Sequence, residues 1–174
     1  MRQYSIDARN IKNPIYPCPI KMGGKNANGQ MLSIGNYYLS LNGKPFFGIC
    51  GEAHFSRMNR ELWEDEIIKM KAGGLNIIAT YIFWIHHEEI EGTFDFSGNK
   101  DLRFFLELCK KNNMYVILRI GPFSHGECRN GGFPDWMYGQ PFDIRCDDPS
   151  YLFYTRRFYE QIYQQAKGLL FKDN

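Results

Sequence analysis

No apolar run in this 174-residue chain approaches the roughly 18 residues that a membrane span requires. The opening Met1-Arg2-Gln3-Tyr4-Ser5-Ile6-Asp7 lacks the hydrophobic stretch of a secretory leader, so no export signal is expected in it and the compartment stays open. An excess of one charge is also missing. The 21 Lys and Arg nearly balance the 19 Asp and Glu, and Lys110-Lys111 and Arg156-Arg157 are the only basic doublets. Nucleic acid is therefore not expected as the main partner. The five cysteines (Cys18, Cys50, Cys109, Cys128 and Cys146) are odd in number and form no CxxC pair, which speaks against a disulfide framework and a zinc site. Gly23-Gly24-Lys25 is followed by Asn26 rather than Ser or Thr, so it is not a phosphate loop. His86 and His87 are adjacent, not four apart, so His86-His87-Glu88-Glu89 lacks the spacing of a helical metal site. No cofactor or metal is expected.

What is present is a core. Hydrophobic residues make up 44% of the chain and aromatics 16%, enough for one folded domain. Residues 1–33 are rich in Pro and Gly and read as an irregular arm; residues 34–174 read as the folded portion. Asn42-Gly43, between the strand-like runs 33–41 and 45–51, predicts a β-hairpin. Three continuous apolar runs, Phe46–Gly51, Leu75–Ile82 and Tyr115–Ile120, predict buried strands. Helical periodicity follows each run. One helix begins at about Asn59, with Trp63, Ile67 and Met70 on one face, and stops at Gly73-Gly74. A second spans Asp101–Asn112, with Leu102, Phe105, Leu106 and Cys109 on one stripe. A third starts at Asp148-Pro149, with Leu152, Thr155, Tyr159, Ile162, Ala166 and Leu169 facing inward, and ends at Gly168. The order strand–helix–strand–helix–strand–helix predicts an α/β fold with a parallel sheet.

Three polar, aromatic-rich loops fall at the C-terminal ends of these strands, where such folds place their sites. The densest is Arg119–Trp136, which supplies His125, Gly126, Glu127 and Trp136 and has glycines that let backbone approach a ligand. The loop after the second run carries Trp84 and Glu88 and reads as polar. His54 reads as a hydrogen-bonded core histidine as readily as a catalyst. Tyr81, Trp84, Phe123, Phe133 and Trp136 could all be core, but aromatics beside carboxylates also suit sugars, whose C–H faces pack on rings. Glycoside hydrolysis needs two carboxyl groups at a defined separation. Glu52, Glu88 and Glu127 each end a different strand, and the residue types alone do not choose among them.

The ordered motifs from Gly51 onward resemble glycoside hydrolase family 35, the β-galactosidase family. They are Gly51-Glu52-Ala53-His54-Phe55-Ser56-Arg57; Lys69-Met70-Lys71-Ala72-Gly73-Gly74-Leu75-Asn76; Thr80-Tyr81-Ile82-Phe83-Trp84-Ile85-His86-His87-Glu88; Gly92–Gly98; Leu118-Arg119-Ile120-Gly121-Pro122; and Gly131-Gly132-Phe133-Pro134-Asp135-Trp136. The resemblance implies a (β/α)8 TIM-type barrel, of which this chain supplies about three βα units preceded by a β-hairpin, since such barrels typically need about 250 residues. It implies retaining hydrolysis of terminal β-galactosyl groups, with Glu127 a ligand of sugar hydroxyls, Tyr81 a galactose contact, and the backbone at His125-Gly126 against the sugar. Trp84, Glu88 and Trp136 are expected to shape the pocket.

The family's acid/base and nucleophile are expected beyond Asn174, so no catalytic residue is assigned within this chain and the isolated chain is expected to be inactive. The alternative is a non-catalytic carbohydrate-binding or structural remnant. The expected partner is a β-galactoside or another carbohydrate, with no membrane partner. The parent family is often secreted or periplasmic, and an open sheet edge predicts self-association. Two departures stand out. Ser124-His125-Gly126-Glu127-Cys128 stands where Ile-Cys-Ala-Glu-Trp is commoner, and Phe83 replaces a frequent proline.

Overall fold

The computed structural model describes residues 3–5, 7, 14–20 and 22–174, and the chain divides into two compact units, Met1–Phe47 and Gly48–Asn174. The parts of the expected arm at 1, 2, 6, 8–13 and 21 lie outside the described residues.

The first unit holds a four-stranded antiparallel sheet in the order β1 (Gly23–Lys25), β2 (Met31–Ile34), β3 (Leu39–Leu41) and β4 (Lys44–Phe46). The Asn42-Gly43 hairpin is present between β3 and β4, with φ of 53° and 75° at the two turn residues, the left-handed pair that a tight hairpin needs. Two expectations are corrected. Residues 23–25 and 31–33 are paired strands rather than irregular arm. Their Gly-rich connection is closed by the Asn26 side chain, which accepts from Gln30 N at 2.7 Å. The run 33–41 is also not one strand. It breaks at Gly35–Tyr38, where Gly35 N donates to Tyr38 O at 3.0 Å.

The second unit is α/β. Strands β5 (Cys50–Glu52), β6 (Ile77–Tyr81) and β7 (Tyr115–Arg119) form a parallel sheet in that order. Helix α1 (Trp63–Ala72) joins the first two strands. The short α2 (Trp84–His87) and then α3 (Leu102–Lys111) join the second and third, and α4 (Pro149–Ala166) follows. The caps are those the sequence signals. Asp101 accepts from Phe104 N, Asp148 accepts from Ser150 N and Tyr151 N, and Asn59 accepts from Glu61 N ahead of α1. Each satisfies a donor that the first helical turn leaves unpaired.

The helices cover one face of the sheet. Ile78 and Ile82 of the middle strand run join Phe55, Trp63, Phe105 and Phe158 in the main core, with Val116, Leu118 and Ile120 packed against it. Side chains of opposite parity point to the other face. There the expectation of strands buried on both sides fails for the outer strands, where Cys50, Tyr115 and Ile117 are exposed, as is Ile49 just before β5, whereas Ala79 and Tyr81 of β6 are buried. A parallel strand is buried twice only when layers cover both faces. Within the described residues the helices cover one. In α4 the inner face is Tyr151, Thr155, Phe158, Ile162 and Ala166, and Leu152, expected inside, is exposed. No helix among the described residues is long and apolar enough to cross a membrane.

Candidate functional site

Glu52, Tyr81 and Arg119 are the last residues of β5, β6 and β7, and register pairs Tyr81 with Arg119. All three belong to the face that the helices leave uncovered. The Arg119 guanidinium bonds both the Glu52 carboxylate and the Tyr81 hydroxyl, and its carbon lies 3.7 Å from the Tyr81 ring centroid. His54 adjoins this group. Tyr81 N donates to His54 Nδ1 at 3.3 Å, so Nδ1 is the acceptor and the neutral ring carries its proton on Nε2. That nitrogen sits 3.8 Å from Glu52 Oε2, too long for a hydrogen bond. Burial lowers the His54 pKa. Glu52 and Glu127 push it the other way, while Arg57 and Arg119 add to the fall. The imidazole is therefore neutral at neutral pH, and its approach to Glu52 is not an ion pair.

The loop after β7 reaches back over these residues. Gly121 has φ +75° and precedes a cis bond to Pro122, and the Tyr159 hydroxyl donates to Gly121 O at 2.8 Å. Ser124 N donates to Gly131 O at 2.7 Å. Arg129 bonds Asp135 at 2.6 Å and Asn130 Nδ2 donates to Asp135 Oδ1 at 2.7 Å, closing the loop on itself. His125 is exposed, edge-on to Phe123 with centroids 4.8 Å apart. Gly126 is buried against Tyr81 and Phe83, and Glu127 is exposed with φ +46°. Arg57 donates to the carbonyls of both Gly126 and Glu127. Of the expected sugar-binding residues, the structure thus brings Tyr81, Gly126 and Glu127 together. It places His125 beside them on the same loop, with its ring turned to Phe123.

Trp84 and Glu88 are not in a polar loop and do not line this surface. Both are fully buried, because the chain turns into α2 and carries them into the core. Glu88 accepts from Trp84 Nε1 at 2.6 Å and from Gly92 N at 2.7 Å and pairs with Arg157. Trp136 Nε1 donates to Glu88 O at 2.9 Å, and its ring is edge-on to Trp84. This network packs in the main core, whereas Tyr81, Phe83 and Ile85 form a separate cluster with Cys128. The cleft lined by Asn59, Arg60, Glu61, Glu64, Asn99, Phe104 and Leu108 includes none of the expected site residues.

The two adjacent histidines point apart. His86 Nδ1 lies 2.9 Å from Ser56 Oγ, while His87 is fully buried and stacked on Phe96. Among the described residues no three His, Cys, Asp or Glu side chains are grouped to hold a metal. His87 Nδ1 lies 3.0 Å from the Asp95 carbonyl. Burial nevertheless pushes its pKa down to about 4 from 6.5, the bond to Asp95 opposing the fall. The unfolded chain therefore takes up a proton between these values that the folded chain refuses. Stability present above pH 6.5 is lost as pH falls towards 4, by about 3 kcal/mol for this group. Urea unfolding across that window is expected to show the loss, and His87→Gln to flatten it. An equally steep profile in His87→Gln would contradict the assignment.

Sequence reasoning gave no role to Arg57 or Arg119. Arg119 had a signal: a charge closing an apolar strand run, on the parity of exposed Ile117. Arg57 had none, because it acts on backbone carbonyls 69 and 70 residues away.

A family model described as Glycosyl hydrolases family 35 matches residues 38–174. The chain is similar to beta-galactosidase 11 of Arabidopsis thaliana, 40% identical over 130 residues, covering 74% of this chain and 15% of that protein. It is similar to a beta-galactosidase of Canis lupus familiaris, 36% identical over 155 residues and covering 87% and 23%. It is also similar to an exo-beta-D-glucosaminidase of Pyrococcus horikoshii, 37% identical over 145 residues and covering 71% and 19%. The chain thus spans less than a quarter of the length of these relatives. In fold it is similar to an exo-beta-1,4-mannosidase from Opitutaceae bacterium strain TAV5, with TM-score 0.56 and 15% identity over 86% of this chain and 25% of that one.

Proposed function

Because the chain belongs to glycosyl hydrolase family 35, we propose that it is the N-terminal part of the catalytic barrel of a retaining β-galactosidase-like hydrolase, the portion that grips the sugar. The observation that carries this is the exposed Glu127 carboxylate, set on a braced backbone beside Gly126 and the strand-ending Tyr81. A carboxylate accepts two hydroxyl hydrogen bonds, and the aromatic neighbours offer faces to sugar C–H groups. Glu127 and Tyr81 are the sugar ligands in this reading, and the backbone at His125-Gly126 lies along the ring. Retention would require a second carboxyl group as nucleophile and a protonated one as acid. Glu52 is occupied by Arg119 and Glu88 by the buried network, so neither is free to meet a glycosidic oxygen. Those roles are assigned to residues outside this chain, and hydrolysis by the chain alone is expected to be absent. The exposed Ile49, Cys50, Tyr115 and Ile117 support a second element of the proposal: other strands, or another copy, cover this face.

Incubation of the 174-residue chain with a chromogenic β-galactoside tests the assignment, with Glu127→Gln as control. The expected result is no turnover by either protein. Turnover that disappears in Glu127→Gln would overturn the role of Glu127 as a ligand only.

A further inference from the structure

We infer that Arg57, seated on Phe83, is the positioning residue that aims Glu127, and that Phe83 and Gly126 are a matched pair on which that aim depends. The inference rests on the reading of Glu127 as a sugar ligand. Four observations converge. Arg57 Nη2 reaches the carbonyls of Gly126 and of Glu127, the latter at 3.3 Å. The guanidinium carbon lies 4.4 Å from the Phe83 ring centroid. A Cβ added at Gly126 would come within 2.9 Å of Cε1 and Cζ of the same ring and 3.3 Å of Tyr81 Cδ2. Glu127 holds φ +46°, a conformation that side-chain-bearing residues adopt only when the surroundings impose it.

The physical sense is direct. Phe83 is fully buried and cannot swing away, because His54 packs edge-on to it at 5.4 Å and His86 lies 5.1 Å from it. The surface it shares with Tyr81 therefore has room for backbone but not for a methyl group. Gly126 alone lets the loop descend far enough for Arg57 to hold two successive carbonyls. That double hold fixes the direction in which the Glu127 side chain leaves the backbone, so the carboxylate is ordered before sugar arrives. Phe83 and Gly126 thus pack directly against each other, and a change at one is felt at the other.

Two readouts on the intact chain test this: galactose affinity by titration, and amide hydrogen exchange of residues 124–128 with β6 as internal control. Arg57→Lys keeps the charge but loses the planar guanidinium that lies on Phe83 and sets the Nη2 that meets both carbonyls. It is expected to weaken galactose binding at least about tenfold and to speed exchange in the loop, leaving β6 unchanged. Gly126→Ala is expected to do the same, and Phe83→Leu in the Gly126→Ala background to restore part of both, because leucine relieves the clash but gives Arg57 no ring face. Wild-type exchange in the loop of Arg57→Lys, or no recovery in the double variant, overturns the inference. If the wild-type chain binds no galactose, the sugar-ligand reading fails, and the exchange data alone decide whether Arg57 positions the loop.

Discussion

Replacing Arg157 with methionine is expected to destabilise the folded chain by about 3–5 kcal/mol, the cost of leaving a buried carboxylate without its counter-charge. Glu88 has no exposed surface. Its charge is balanced by Arg157, and its remaining acceptor capacity goes to Trp84 Nε1 at 2.6 Å and Gly92 N at 2.7 Å. The guanidinium is itself partly screened from solvent, lying 4.9 Å from the Tyr154 ring centroid. Methionine would fill much of the volume but supply no positive charge and no donor. The double replacement Arg157→Met with Glu88→Gln removes the charge that lost its partner, so it is expected to recover a large part of the loss. Urea unfolding of the wild type and the two variants measures this. A loss under 1 kcal/mol in Arg157→Met would mean that solvent, not the guanidinium, balances Glu88.

Trp84→Ala is expected to cost a similar amount, about 3–5 kcal/mol, for a different reason. The indole is fully buried and stacks on Phe158 with centroids 4.6 Å apart and planes 1° from parallel. Removing it leaves a cavity between α2 and α4 and deletes the donor to Glu88. Trp84→Phe keeps most of the stack and loses only that donor, so it is expected to cost about 1–3 kcal/mol. Trp84→Phe and Arg157→Met act on the same carboxylate, so their effects should not add. Strict additivity would show that the two contacts are independent of Glu88.

The alternation of strands and helices was legible because its signals are local. Asn42-Gly43, Asp101 and Asp148-Pro149 carry turn and cap chemistry in a few residues, and each acts as expected. Burial was less legible. The run Tyr115–Leu118 is apolar throughout, and such a run cannot say whether one face or two will be covered. Gly23 was read as arm, yet a Cβ there would lie 2.2 Å from Leu32 O, so glycine is what lets β1 pair with β2. The segment Trp84–Glu88 looked polar because its charge is visible in sequence, while Arg157, 69 residues away, is not visible as its partner. The candidate site divides in the same way. Tyr81 and Glu127 could be placed from strand ends and motif. The Arg57 bonds to carbonyls at 126 and 127 have no sequence signature, because every residue has a carbonyl.

Titration of the uniformly ¹⁵N-labelled chain with galactose tests the central claim most directly. The account predicts saturable amide shifts at Tyr81 and at His125, Gly126 and Glu127, abolished in Glu127→Gln, with the helices α1 and α3 silent. Saturable shifts that persist in Glu127→Gln, or shifts confined to the cleft around Asn59, Glu64 and Phe104, would contradict it.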